Sequence, residues 1–258
     1  MLNMLTHGEP TSRPPLLIAH GLYGSARNWG VIAKRLSDSR QVIAVDMRNH
    51  GASPRTSTHS YPEMAADLAE VIDRIGGPVE VMGHSMGGKA AMVLALTHPE
   101  HVNSLTVADI APVAYAHSQL KYAEAMKGVD LTGITRRSDA QDRLAPVIDD
   151  PALVPFFLQS VDVKAAAWVL NLDTLAREMP KIMDFPEVSG RYEGPTLFLT
   201  GATSDYVKRE DRPTITGLFP KARFVKIPDA GHWLHADKPR EFEAALRTWL
   251  DRDNPPRT

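Results

Sequence analysis

The chain has 258 residues, a formal net charge of −2, 43% apolar and 23% charged residues, and no cysteine. That length suits one large α/β domain or a domain carrying an insertion, and the composition excludes disorder. Interspersed charges without a basic stripe argue against nucleic acid as a partner. The absence of cysteine removes disulfides, thiolate catalysis and cysteine metal sites, and it fits a reducing compartment.

Residues 1–15 hold no basic segment followed by an uninterrupted apolar run, because Asn3, Thr6, His7 and Glu9 break it, so no signal peptide is expected. Residues 2–6 read as a short edge strand. Apolar runs at 16–20, 42–47, 79–83, 104–109, 196–200 and 223–227 alternate with helical patterns at 25–36, 62–75, 86–98, 209–218 and 239–250. Short continuous apolar runs between helical patterns are the signature of buried parallel strands joined by crossover helices. The fold class is therefore α/β. No run approaches the roughly 20 residues of a spanning helix, so a cytoplasmic, soluble protein without membrane insertion is expected. The tail from Arg252 is expected to be mobile.

One interval breaks the rhythm. Between Pro112 and about Arg191 no convincing strand occurs, while helical stretches at 118–126, 138–148 and 163–183 follow one another with Pro and Gly punctuation. A structureless connection of this length is implausible in a compact domain, so the interval reads as a helical insertion. Placed above the carboxyl ends of parallel strands, it would cap the crevice where α/β folds bind ligands. The expected organisation is a core of residues 1–112 and 191–258 with a cap of residues 113–190.

The chemistry starts at Gly83-His84-Ser85-Met86-Gly87-Gly88, which joins a strand to a helix. Gly-x-Ser-x-Gly in this setting is a nucleophile elbow, a turn so sharp that the serine backbone is strained and its hydroxyl stands out toward substrate. The pattern is common by itself and gains weight only from its company. A serine hydroxyl needs an imidazole to accept its proton during attack. His232, in Asp229-Ala230-Gly231-His232-Trp233 just after the last strand, sits on the same sheet edge as Ser85. His20 and His50 precede glycines in loops, and His84 points away from the serine within the elbow. A histidine chosen at random is usually a satisfied or solvated side chain; the position of His232 favours the catalytic reading. The oxyanion needs preorganised N–H donors. The amide of Met86 follows the nucleophile, and the loop His20-Gly21-Leu22-Tyr23-Gly24 at the end of the first strong strand supplies the amide of Leu22 as the second donor.

These segments, with Asp46-Met47-Arg48-Asn49-His50-Gly51-Ala52-Ser53 between them, fall in the order and spacing of the α/β-hydrolase superfamily, which the chain resembles over nearly its whole length. Asp109-Ile110-Ala111-Pro112, Ser85-Met86-Gly87-Gly88-Lys89 and His232-Trp233 followed by His235-Ala236 and Lys238-Pro239 are similar to the small bacterial carboxylesterases of the YbfF type. The resemblance implies an eight-stranded sheet, a helical cap, and hydrolysis of esters or thioesters with short to medium acyl chains. It also shows a departure. Most relatives carry Gly-x-x-Asp after the penultimate strand, whereas Gly201-Ala202-Thr203-Ser204 places serine in that slot, with Asp205 one residue late. Asp109, closing the strand after the nucleophile helix, is the favoured acid, with Ser204 adding a hydrogen bond to the same imidazole; Asp205 is the alternative.

Tyr23, Tyr115, Phe156, Phe157, Trp168, Tyr206 and Trp233 fall in cap or loop positions suited to an apolar acyl site. Of these, Tyr23, Trp233, Tyr206 and Trp168 are the substrate-binding candidates, although most aromatics in any protein are core. Arg27, Arg48 and Lys89 are cations that could face a phosphate-bearing leaving group such as coenzyme A, but isolated cations are usually solvated. No His-Glu-x-x-His pair or carboxylate ladder supports a metal, and no cofactor is expected. A dinucleotide site fails at Ser85, where the fingerprint needs glycine. The leading reading is a serine esterase. A perhydrolase or carbon–carbon bond hydrolase with the same triad, or a ligand sensor on a hydrolase scaffold, are the alternatives. Homo-oligomerisation is left open.

Overall fold

Leu16–Ala19 and Val42–Val45 are buried at every position, as parallel strands must be when helices cover both faces of their sheet. Their side chains alternate. Leu17, Ala19, Ile43 and Val45 enter one apolar cluster, and Leu16, Ile18, Val42 and Ala44 enter the other, which is the two-residue period of a pleated strand.

The computed structural model describes residues 1–252; of the tail expected to be mobile from Arg252, all but that residue lies outside the described residues. In chain order the elements are β1 (Met4–His7), β2 (Leu16–Ala19), α1 (Gly30–Leu36), β3 (Val42–Val45), α2 (Tyr61–Ile75), β4 (Val79–His84), α3 (Met86–Thr97) and β5 (Val102–Ala108). Then follow α4 (Leu120–Gly128), α5 (Arg137–Leu144), α6 (Val154–Leu158), β6 (Val161–Asp162), β7 (Ala167–Trp168), α7 (Leu172–Arg177) and α8 (Met179–Met183). The chain closes with β8 (Thr196–Gly201), α9 (Arg212–Leu218), β9 (Ala222–Ile227), α10 (Leu234–Asp237) and α11 (Pro239–Leu250).

Among the described residues the main sheet has seven strands in the order β1-β3-β2-β4-β5-β8-β9, with β1 antiparallel and the others parallel. The expected eighth strand is absent from it. Between β1 and β2 lie only residues 8–15, with Pro10, Pro14 and Pro15 among them, and prolines cannot donate to a ladder. Helices α2 and α3 cover one face, and α1 and α11 the other. From Met86 to Leu96 every residue of α3 is buried, so this helix runs through the interior and its first turn is held on all sides. Helix α2 begins at Ser60, whose N–H donates to Glu63 Oε2 at 3.0 Å, and stops at Gly76, which takes the left-handed φ of 95° that glycine adopts without cost.

The segment between β5 and β8 is less regular than the sequence suggests. The hairpin of β6 and β7 stands where no strand was expected, and the helix expected over 163–183 is confined to α7 and α8. The Asp162 carboxylate accepts the N–H groups of Lys164 at 2.9 Å and Ala165 at 3.1 Å, and Ala166 has a φ of 49°. An aspartate that satisfies the following amides offers the backbone a turn in place of a helix. No helix among the described residues is long and apolar enough to cross a membrane.

Candidate active site

Parallel pairing brings the carboxyl ends of β4 and β5 side by side, and the next residue on each is displayed there. Ser85 follows β4 with φ 51° and ψ −121°, and Asp109 follows β5 with φ 52°. Such conformations cost of order 1–3 kcal/mol each for non-glycine residues and persist only where the surroundings over-determine them. Here the ladder runs one step past both strands. The Ser85 N–H donates to Ala108 O at 3.0 Å, and the Asp109 N–H to Leu199 O at 2.9 Å. The flanking glycines are required by close approach: a Cβ at Gly83 would lie 2.2 Å from Gly87 O, and one at Gly87 would lie 2.4 Å from Ala19 O.

Asp109 is fully buried, and its Oδ2 lies 2.8 Å from Nδ1 of His232, whose ring is one-fifth exposed. The carboxylate's other partners are Gly201 N–H to Oδ1 at 3.0 Å and Ser204 Oγ–H to Oδ2 at 2.5 Å. A buried carboxylate is tolerable only with such a full set of donors. The expectation for Ser204 is corrected in one respect, since its hydroxyl bonds the carboxylate and not the imidazole. Asp205 is exposed and is not hydrogen-bonded to His232. His84 donates Nε2–H to the carbonyl of His232 at 2.9 Å and lines the same cavity as Ser85. No hydrogen bond joins Ser85 to His232 among the described residues, though both line one cavity; such bonds often tighten only when substrate is bound.

Gly21 passes so close to the elbow that a Cβ there would lie 3.2 Å from Ser85 Cβ. Two buried histidines hold this loop. Burial pushes the pKa of both His20 and His50 below the ordinary histidine value, His50 well below, so each ring has one donor and one acceptor nitrogen. His50 Nε2 accepts the Tyr23 N–H at 3.1 Å while Nδ1–H donates to Arg48 O at 2.9 Å. His20 Nε2 accepts the Met47 N–H at 2.9 Å while Nδ1–H donates to Gly21 O at 2.8 Å. Met86 is the first residue of α3, where N–H groups lack intrahelical acceptors. Its sulfur lies 3.2 Å from Nε2 of His59, a ring whose pKa burial lowers to about 3. Sequence reasoning treats His20 and His50 as loop residues and passes over His59. Their places before glycines at strand ends are the one signal for the first two.

Ser85, His232, Leu22, Met86, Tyr23, Tyr206 and Trp233 all line one cavity of about 890 Å³. Apolar walls come from both sides of the chain: Ile32 and Ile110 from one, Leu153, Phe156 and Phe157 from the segment between β5 and β8. Trp168 does not line it; this residue belongs to β7, and its carbonyl accepts from Arg55 at 2.7 Å. Arg27 is exposed at the cavity, whereas Arg48 is committed to Asp67 and Glu63. Lys89 is buried and spends its three donors on Val113 O at 2.8 Å, Met183 O at 3.1 Å and Asp184 O at 2.6 Å, leaving none for an anionic leaving group. Among the described residues no group of three or more His, Asp or Glu side chains could hold a metal ion.

A model of the alpha/beta hydrolase fold matches residues 14–239. The chain is 35% identical over 242 residues to esterase YbfF of Escherichia coli (strain K12), covering 92% of this chain and 93% of that one. It is 40% identical over 247 residues to the sn-1-specific diacylglycerol lipase ABHD11 of Danio rerio, covering 92% and 78% respectively. Among solved structures, a marine microorganism esterase superposes with a TM-score of 0.90 at 39% identity, covering 96% of this chain and 98% of the other.

Proposed function

We propose that this chain, which belongs to the α/β-hydrolase family and is a carboxylic ester hydrolase, cleaves short- to medium-chain carboxylic esters through an acyl-enzyme on Ser85. His232 takes the Ser85 proton as Oγ attacks the ester carbonyl, then gives it to the departing alcohol. Asp109 accepts from Nδ1–H, which fixes the tautomer with Nε2 free to act as base and stabilises the imidazolium. The N–H groups of Leu22 and Met86 receive the tetrahedral oxyanion, each lowering the barrier by about 3 kcal/mol. Water activated by His232 then releases the acid and restores Ser85.

The observation that carries this reading is the 2.8 Å contact between a fully buried Asp109 and His232 on the cavity that Ser85 enters with a left-handed backbone. The division into a core of 1–112 and 191–258 and a cap of 113–190 is part of the same proposal, supported by a cavity walled from both. A cytoplasmic location fits a chain without cysteine. A glyceride ester is the second reading. The cavity lies near the upper end of the roughly 300–1,000 Å³ typical of ligand pockets, and one relative is named as a diacylglycerol lipase.

The test is hydrolysis of p-nitrophenyl esters of graded chain length by the wild type and by Ser85→Ala, with fluorophosphonate labelling alongside. Loss of at least about 10³-fold in kcat together with loss of labelling is expected. Ester hydrolysis retained by Ser85→Ala refutes the acyl-enzyme.

A further inference from the structure

We infer that Tyr206 is a positioning residue for the base: the fold clamps its ring flat against His232 so that the imidazolium formed during acyl transfer rests on the phenol face. This deepens the proposed function and rests on His232 being the base. The two ring centroids are 3.7 Å apart with planes 16° from parallel. Aromatic pairs commonly take offset or edge contacts at about 4.5–7 Å, as His84 and His232 do with 4.9 Å and 39°; the buried His235 stacks on Trp29 at 4.2 Å and 21°, and the stack of Tyr206 on His232 is the tighter of the two. A closer, near-parallel stack suits a cation lying over a π face.

The stack is imposed on Tyr206 from outside. Its N–H donates to Ser204 Oγ at 3.3 Å, and its carbonyl accepts from Tyr115 Oη at 2.6 Å. Its hydroxyl accepts from Gln119 Nε2 at 3.3 Å and meets His117 Nε2 at 3.1 Å. Ser204 also holds Asp109, and the carbonyl of Gln119 also accepts from Tyr23 Oη at 2.9 Å. The segment 117–119 therefore grips both the ring over His232 and the tyrosine beside Leu22. The titratable groups around His232 are Asp109 from the end of β5, His84 from the end of β4, His235 from α10, His117 from the segment before α4, and Tyr206 itself. Burial lowers the pKa of both His84 and His235, so Asp109 on one edge and the phenol on one face are the groups placed to stabilise the imidazolium that forms during turnover.

Tyr206→Leu removes the ring, and Tyr206→Phe keeps it while dropping the hydroxyl bonds. Two readouts are needed: the pH dependence of kcat/KM, and the NMR titration of the His232 imidazole without substrate. Since the ring favours the protonated form, its loss lets His232 shed its proton at lower pH. In Tyr206→Leu both the acidic limb and the imidazole titration are expected to move down by about 0.5 to 1.5 units, with kcat reduced about 3- to 30-fold. In Tyr206→Phe, which keeps the ring and its main-chain bonds to Ser204 and Tyr115, both move by less than half as much. The inference is overturned if the leucine variant titrates like the wild type, if both variants shift together, or if KM alone changes. Should Tyr206→Leu not fold, Tyr206→Met removes the ring with closer volume and is judged by the same outcomes. The NMR titration needs no turnover, so hydrolysis retained by Ser85→Ala would remove the acyl-enzyme reading while the titration still decides the role of Tyr206.

Discussion

The strand ends that carry Ser85 and Asp109 and the segment 113–190 that walls the cavity above them are built by different means. At the strand ends the backbone is set by parallel ladders that extend past β4 and β5, and strained conformations are held by main-chain bonds to Ala108 and Leu199. The segment above is short helices and a hairpin of two-residue strands, fastened largely by side-chain hydrogen bonds. Lys89 holds both of its ends, at Val113 and at Met183 and Asp184, and Asn171 Nδ2 meets Asn49 Oδ1 at 2.9 Å and Thr56 O at 3.0 Å. Placement of Ser85 and Asp109 by main-chain ladders and placement of the cavity walls by side-chain fastenings are thereby separated. Substitutions at the strand-end loops should change kcat, and substitutions at the fastenings should change KM and stability.

His50→Ala breaks that separation first. It leaves the buried Tyr23 N–H without its acceptor and frees the loop carrying Leu22, so kcat should fall about 10- to 100-fold with little change in KM. Unchanged kcat on the same p-nitrophenyl ester would show that Leu22 is not held through this contact. Ser204→Ala removes one charge-assisted bond to Asp109 and should lower kcat about tenfold; steady-state kinetics alongside Asp205→Ala, which should stay near wild type, checks it.

Lys89→Met probes the other side. The carbonyls of Val113, Met183 and Asp184 lose their donor, and urea unfolding should show a loss of about 1–3 kcal/mol together with a KM raised more than kcat is lowered. A fall confined to kcat would place Lys89 in the chemistry and erase the contrast. A further effect concerns pH. Burial lowers the folded-state pKa of His235 from the ordinary 6.5 to about 3, so between these values the unfolded chain binds a proton that the folded chain does not. This group's stabilising effect is present above pH 6.5 and is lost as pH falls toward 3. His235→Phe should therefore flatten the acid side of the stability profile by at most about 1.4 kcal/mol per pH unit. A slope unchanged in chemical unfolding at stepped pH would show that His235 is protonated in the folded state.

The same contrast governs what is legible in the sequence. Ser85 and Asp109 each follow an apolar run, and a run buried on both sides announces a strand whose end must lie at the carboxyl edge of the sheet; His232 comes five residues after β9, a largely exposed edge strand, and is legible only from its place between the last strand and the last helix. The partner of Ser204 is not legible. Its slot is visible in Gly201-Ala202-Thr203-Ser204, but whether the hydroxyl meets imidazole or carboxylate depends on how deep Asp109 sits between β5 and β8. Trp168 reads as a cavity aromatic because nothing in its neighbours' periodicity reveals a hairpin; the turn at Asp162 rests on side-chain hydrogen bonds that spacing does not encode. The eighth strand is an expectation of the resemblance, and the prolines between β1 and β2 oppose it. Tyr206 is legible as an aromatic near the site, but its stacking on His232 follows from contacts with Tyr115, His117 and Gln119, three residues distant in the chain.

The most direct test of the central claim, that the reacting groups stand on the strand ends, compares Asp109→Asn with Asp205→Asn on one p-nitrophenyl ester. An asparagine at 109 offers an amide where His232 Nδ1–H needs an acceptor, so kcat should fall by about 10⁴-fold, whereas Asp205→Asn should remain within about twofold of wild type. A larger loss for Asp205→Asn than for Asp109→Asn would move the acid to the loop after β8 and contradict the account.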